Sequence, residues 1–354
     1  MPMIAEPPAR LYSCGILMNG FDPQSPASIL ETFSFQQYLA FEPFKTPGRQ
    51  AADALSTVAA HDAAVNFHLL QHMHSVSGPH SHFVGIMGGH SIGRTTAAYK
   101  NMANLARFLT SEGFTIVTGG GPGLMEAAHL GAYFSGSSDE TWSKVLMKLE
   151  NVQKDNAIDI IPAPKKHQSA TGWAYAYDAA GLHAWYSWAD QLKSLADNPG
   201  ESLAISTWEY GNEPVMPFAS AYACYFQNSI RESHLVRESR AGIIYGRGGG
   251  GTLREIWQDV EENYYVRSRE ELTPMVFFDA ERYWGDLSTN GTATVDVFGT
   301  IIRTLNHAHR RDSFAWEDKI VATTDYQKVL GLLNGHIVPA QRNLAGFAKS
   351  AQIL

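Results

Sequence analysis

At 354 residues the chain is long enough for one large α/β domain or two smaller ones, either with a full core. Hydrophobic content of 44%, charged content of 18% and 31 glycines belong to a globular α/β chain with many turns. A net charge of −8 argues against a dedicated nucleic-acid binder, and Cys14 and Cys224, far apart, give neither a disulfide framework nor metal-ligand spacing.

The N-terminal MPMIAEPPARLYSCGIL lacks the basic-then-apolar pattern of a signal peptide, and no apolar run reaches the ~18–20 residues of a membrane span. The expectation is a cytoplasmic protein that contacts no membrane. Helix-like stretches at 28–40 and 51–74 predict an N-terminal appendage over residues 1–82. Within it HMHSVSGPHSH, residues 72–82, is rich in histidine. Alternating histidines can bind metal, but no acidic or cysteine partner lies nearby and Gly78-Pro79 marks a loop.

From Phe83 the pattern changes to that of a parallel sheet. HFVGIMGGHS is a short apolar run ending in glycines. A helical stretch follows, with Ala98, Met102, Leu105, Ala106 and Leu109 on one face and Gly113 at its end. FTIVTGGGPGLMEAAHLGAYFSG repeats the scheme, with a strand at 115–118, a glycine loop and a helix from Leu124. This is a βαβ unit. Residues 136–200 interrupt the rhythm and carry Trp173, Tyr175, Tyr177, Trp185, Tyr186 and Trp188. They predict a partly helical insertion, serving as a packed excursion or dimer contact, or as a lid over a ligand. The sheet resumes with SLAIST at 202–207. A helix is expected from 219 to about 238, then the strand AGIIY, and strands in TPMVFFDA and KIVATTD. The principal domain spans 83–335, and 336–354 form a tail.

Two strand-to-helix junctions are glycine-rich: GGGPGLME at 119–126 and GRGGGGTLRE at 246–255. Without Cβ atoms, backbone N–H groups converge on an anion, and a helix N-terminus adds about half a positive charge. Two such loops in one sheet point to a ligand across the carboxyl ends of its strands. Neither loop is the dinucleotide fingerprint, since Leu124 stands where its last glycine belongs, and no phosphate-binding GxxxxGK[ST] motif occurs. Thr252 suits a helix cap or a hydroxyl donor to phosphate. Glu255, expected in the first helical turn, is either the capping-box partner of Thr252 or a carboxylate facing a cation formed only in a transition state. Glycosidic cleavage generates such a cation.

These residues resemble the LOG family, often described as putative lysine decarboxylases, and the related nucleotide 5′-monophosphate nucleosidases. GGGPGLMEAA and RGGGGTLRE are similar to the family's GGGxxGLM and PGGxGTxxE motifs. GGHSIGRTTAAY looks like its opening glycine turn, EPVMPF like the loop before its arginine helix, and SIRESHLVRESRAGIIYG like that helix and the next strand. The resemblance runs from about Phe83 to Leu333, outside the insertion. It implies a Rossmann-like parallel sheet with helices on both faces, a homodimer or higher homo-oligomer, and hydrolysis of a nucleoside 5′-monophosphate to free base and ribose 5-phosphate. Neither metal nor cofactor is implied. Glu255 and Arg231 would be catalytic. Gly248, Gly249, Gly250, Gly251 and Thr252 would hold the phosphate, with Arg247 beside them. Gly88, Gly89, His90, Gly119, Gly120, Gly121 and Glu126 would line the nucleoside end. The family's proline is replaced by Arg247 counting back from Glu255, or by Gly246 counting forward from Arg231. Glu232 replaces the usual lysine and is expected to compete with Glu255 for Arg231. A non-catalytic nucleotide sensor on the same fold is the alternative, and an interaction scaffold built on the insertion a third.

Overall fold

The computed structural model describes residues 3–45, 52–76, 82–151, 165–169, 172–210, 214–285, 296–310 and 314–336. Its elements run α1 (Cys14–Leu17), α2 (Phe33–Phe41), α3 (Ala52–Val76), β1 (Phe83–Met87), α4 (Ala97–Ser111), β2 (Thr115–Thr118), α5 (Leu124–Tyr133) and α6 (Asp139–Asn151). The hairpin β3 (Lys165–Ser169) and β4 (Gly172–Ala176), then α7 (Ala179–Leu192), complete the insertion. The chain continues through β5 (Ser202–Thr207), β6 (Ala221–Tyr225), α8 (Asn228–Arg237), β7 (Gly242–Tyr245), α9 (Gly250–Tyr264), β8 (Met275–Phe277), α10 (Val297–Ala308), β9 (Ile320–Ala322) and α11 (Tyr326–Asn334).

Seven strands form one parallel sheet in the order β6-β5-β2-β1-β7-β8-β9, a Rossmann-like α/β fold. Their short apolar runs are buried on both sides, as helices covering both faces require. The chain winds outward from β1 through β2, β5 and β6, then returns to β7 on the other side of β1. The order therefore reverses between β1 and β7, and a crevice for ligands opens at their carboxyl ends.

Two sequence expectations need correction. The helix expected over 219–238 is a strand, β6, followed by α8. The alternation in AYACY places side chains on both buried faces of an outer strand, a pattern that mimics a buried helix over so few residues. The single helix expected at 28–40 is a 3-10 turn, Pro26–Leu30, and then α2, which Thr32 caps by accepting the Phe35 N–H. Helix α11 ends the principal domain at Asn334, and residues 337–354 of the tail lie outside the described residues, as do 77–81 of the histidine-rich loop.

The N-terminal segment is built into the sheet's edge. Tyr12 and Tyr222 exchange backbone hydrogen bonds at 2.9 Å in both directions, covering the unpaired side of β6. Behind this bridge His61 on α3 bonds the Tyr12 hydroxyl at 2.8 Å and the Asp62 carboxylate at 3.1 Å. The insertion docks on the same segment: Phe21 stacks on His183 at 5.0 Å, and the Tyr177 hydroxyl donates to that of Tyr38 at 2.6 Å. Trp185 and Tyr186 are buried in the common core, as a packed excursion requires.

Helix α9 is fastened to β7 by the Tyr245 hydroxyl, which donates to buried Asp259 at 2.8 Å. Burial pushes the Asp259 carboxyl up to about 8, so the native state keeps a proton that the unfolded chain releases near pH 4. Native protein then binds more protons between those values, and this group's contribution to stability falls as pH rises through them. Asp259→Asn is expected to match the parent near pH 4 and to exceed it by at least about 1 kcal/mol above pH 8. Urea unfolding at a series of pH values checks this, and an unchanged difference across the series refutes it.

Candidate active site at the sheet switch point

The first glycine loop leaves β1 at the switch point and joins the other two. The Gly89 N–H donates to the Arg247 carbonyl at 2.8 Å, and the Gly89 carbonyl accepts from the Leu124 N–H at 3.1 Å. The approach is close enough to require glycine at 123, where φ is +71° and a Cβ would run into the Gly89 carbonyl. Gly88 is buried beside them and His90 is exposed.

Gly119, Gly120 and Gly121 are buried at the end of β2, and Gly120 has φ +76°. Its N–H donates to the Thr118 hydroxyl at 2.9 Å. Beneath it His129 bridges Thr118 Oγ1 at 2.8 Å and Ser202 Oγ at 2.7 Å. Burial pulls this imidazole down to about 3, so it is neutral, with one ring nitrogen donating and one accepting. The loop is thus supported from below by a satisfied polar chain.

The third loop passes into α9. Its cap is Gly249, without a side-chain bond, and the first helical hydrogen bond runs from Leu253 N–H to the Gly249 carbonyl at 3.0 Å. Thr252 is therefore the third helical residue, not the cap; its buried side chain packs on Gly248. Glu255 falls in the second turn, not the first, which removes the capping-box reading. In a run of four glycines, backbone freedom lets the helix begin three residues early, with Gly249 instead of Thr252 at the cap. Gly249, Gly250 and Gly251 are exposed and open around their Cα atoms, and the N–H groups of Gly250, Gly251 and Thr252 precede the first helical bond. This end of α9 has the geometry of an anion cradle.

Glu255 and Arg231 meet across the two helices. Arg231 Nη1 lies 3.5 Å from Glu255 Oε1, with both side chains at least nine-tenths buried. A Cβ on Gly119 would lie 3.1 Å from the same Nη1, so the guanidinium rests on the second glycine loop. Helix α8 is held from outside the sheet. Asp62 on α3 accepts the N–H groups of Phe226 at 3.0 Å and Gln227 at 3.1 Å, and Glu209, just past β5, accepts that of Asn228 at 3.0 Å. Two carboxylates at a helix N-terminus also complement its dipole.

Glu232 does not compete for Arg231. It pairs with Arg254 at 2.8 Å, a second ion pair between α8 and α9 with the signs reversed. Arg247 meets the site through its backbone carbonyl. Its half-exposed guanidinium pairs with Glu281 at 3.1 Å and lies over the Tyr283 ring at 5.1 Å.

Glu126 is buried and held by Arg94, through Nη2 at 2.5 Å and Nε at 3.1 Å. The Arg94 guanidinium also donates to the Trp185 carbonyl at 3.1 Å and sits 4.4 Å from the Trp188 ring and 5.0 Å from that of Trp185. Sequence reasoning missed Arg94, Asp62 and Glu209. The only local signal was a lone arginine after a glycine turn, its partner 32 residues away.

Residues 81–139, the βαβ unit with the first two glycine loops, match the model of the SLOG cluster4 family, which suggests a nucleotide-related role. No curated protein matches the chain. Among the described residues no helix is long and apolar enough to cross a membrane.

The Arg94–Glu126 pair generates a stability prediction. Removing one partner strands a buried charge, so Arg94→Met or Glu126→Leu alone should cost about 3–5 kcal/mol. The double substitution Arg94→Met/Glu126→Leu should cost clearly less than either, as measured by urea unfolding. Simple additivity would show that the two side chains act independently.

Proposed function

We propose that the chain hydrolyses the N-glycosidic bond of a nucleoside 5′-monophosphate, releasing free base and ribose 5-phosphate. The observation that carries this reading is the buried Arg231–Glu255 pair beside an open helix N-terminus, with Arg231 against the second glycine loop. The 5′-phosphate sits on the N–H groups of Gly250, Gly251 and Thr252. Glu255 faces C1′ of the ribose, stabilises the oxocarbenium-like charge and orients the attacking water. As the C1′–N bond breaks, its electrons leave with the base, water forms the new C1′–O bond, and the proton that water loses ends on the base. Arg231 holds Glu255 and closes on the ribose phosphate with its planar fork. Gly88, Gly89, His90, Gly119, Gly120 and Gly121 border the nucleoside. Glu126 supports them from within, through Arg94.

Base release from a panel of nucleoside monophosphates tests the proposal. Glu255→Gln and Arg231→Ala should each reduce kcat at least about a hundredfold, the scale of a lost transition-state charge partner. A folded sample that releases no base from any monophosphate overturns it. Tight nucleotide binding without turnover would then identify a sensor.

Arg247 reaches the phosphate only by leaving Glu281. If it does so in the complex, Arg247→Ala should raise KM several-fold, about 1–2 kcal/mol, with kcat little changed. An unchanged KM leaves Arg247 as a partner of Glu281 alone.

A further inference from the structure

Buried polar side chains are almost always hydrogen-bonded, so one without a partner calls for a reason. Asn228, the first residue of α8, is only 3% exposed. Glu209 accepts its backbone N–H at 3.0 Å, but its side-chain oxygen has no hydrogen-bond partner among the described residues. Burying an unpaired carbonyl costs stability that an apolar residue of the same size would keep.

The place of Asn228 in the helix supplies the reason. Asn228, Arg231 and Leu235 are spaced by three and four, and at 100° per residue they fall within about 60° of the helix circumference. The last two look onto the second glycine loop. A Cβ on Gly119 would lie 3.1 Å from Arg231 Nη1 and 3.8 Å from Leu235 Cδ2. Asn228 continues this stripe about one turn beyond Arg231, towards the helix N-terminus. Helix α8 starts just past the carboxyl end of β6, so its first turn stands at the same edge of the sheet as the crevice.

The chemistry of a carboxamide narrows the ligand group that would meet it. One end accepts a hydrogen bond and the other donates, and a half-turn about the last side-chain torsion exchanges them. A hydroxyl suits either end because it both donates and accepts, whereas a phosphate dianion has no proton to give the oxygen. In a nucleoside monophosphate the hydroxyls lie on the ribose, and the 2′-hydroxyl is on the carbon next to C1′. We infer that Asn228 recognises the ribose of the substrate, its carboxamide hydrogen-bonded to the 2′-hydroxyl. This rests on the reading of the site as that of a nucleoside monophosphate hydrolase. Hydrogen bonds to that hydroxyl strengthen as the sugar becomes oxocarbenium-like, so the contact serves the reaction as well as binding. The position gives up stability for recognition.

Calorimetry of the full chain with ribose 5-phosphate and 2-deoxyribose 5-phosphate reads this contact without turnover. The parent should bind the ribose form at least about tenfold more tightly, the scale of one buried hydrogen bond. Asn228→Leu should lose most of that preference while melting no lower than the parent, because it removes an unpaired polar group. Asn228→Ala is the smaller replacement should leucine not fit. In base release, the same variants should lower kcat/KM for a nucleoside monophosphate about tenfold or more relative to its 2′-deoxy form. Comparing parent with variant cancels the different intrinsic reactivity of the two sugars. A folded variant that keeps the parent's sugar preference overturns the inference, and leaves hydrolysis standing if base release continues. A variant that changes the preference among bases, and not that between sugars, overturns it as well. A parent that shows the sugar preference but releases no base overturns hydrolysis alone, and one that binds neither sugar phosphate and releases no base overturns both.

Discussion

The site depends on the backbone of one residue, Gly89. Its N–H is committed to the third glycine loop and its carbonyl to the second, so the turns after β1, β2 and β7 are joined at the place where strand order reverses. Backbones can come this close only where side chains are absent, which accounts for the glycine content at the junctions. The consequence is electrostatic. Once the loops are joined, the N-terminus of α9 is held beside the end of β1, with the N–H groups of Gly250, Gly251 and Thr252 ahead of the first helical bond. An anion placed at this helix end would meet donors already held in position.

The segments flanking the sheet contribute to the same end by different means. Residues before β1 seal the β6 edge and supply Asp62, which accepts from the peptides just ahead of α8. Glu209, from the loop after β5, accepts the next N–H. Arg231 sits one turn along that helix, so its position is set by carboxylates far away in sequence, 164 residues in the case of Asp62 and Phe226. The insertion reaches the first loop through Arg94, whose guanidinium is held between Trp185, Trp188 and Glu126. Both additions therefore pack on elements that border the crevice.

Much of the fold was legible in the sequence because parallel strands announce themselves as short apolar runs, as β1, β2, β5, β7, β8 and β9 do, and in β1, β2 and β7 glycine follows directly. The strand β6 was not legible: AYACY alternates over too few residues, and the helix beyond it extends the same apolar rhythm. Within the site, Glu255, Arg231 and the glycine loops could be proposed because their motifs are local. Arg94, Asp62 and Glu209 could not, since each acts on a partner brought near only by the folded sheet. The start of α9 was misjudged for a further reason. Four successive glycines carry no side-chain signal for a cap, so Thr252 looked like one until the backbone showed Gly249 in that position.

The two ion pairs between α8 and α9 show how the site tolerates an acidic residue next to its arginine. Glu232 follows Arg231 directly, and a buried carboxylate there without a partner of its own would draw the guanidinium away from Glu255. Arg254, which directly precedes Glu255, supplies that partner. The two neighbouring pairs thus run in opposite directions across the same helix contact, and exchanging their partners would set Arg231 against Arg254 and Glu232 against Glu255. Alternating polarity at adjacent positions therefore does more than neutralise Glu232. It matches each charge on α8 with its opposite on α9, so Glu232 has a partner of its own beside the Arg231–Glu255 pair.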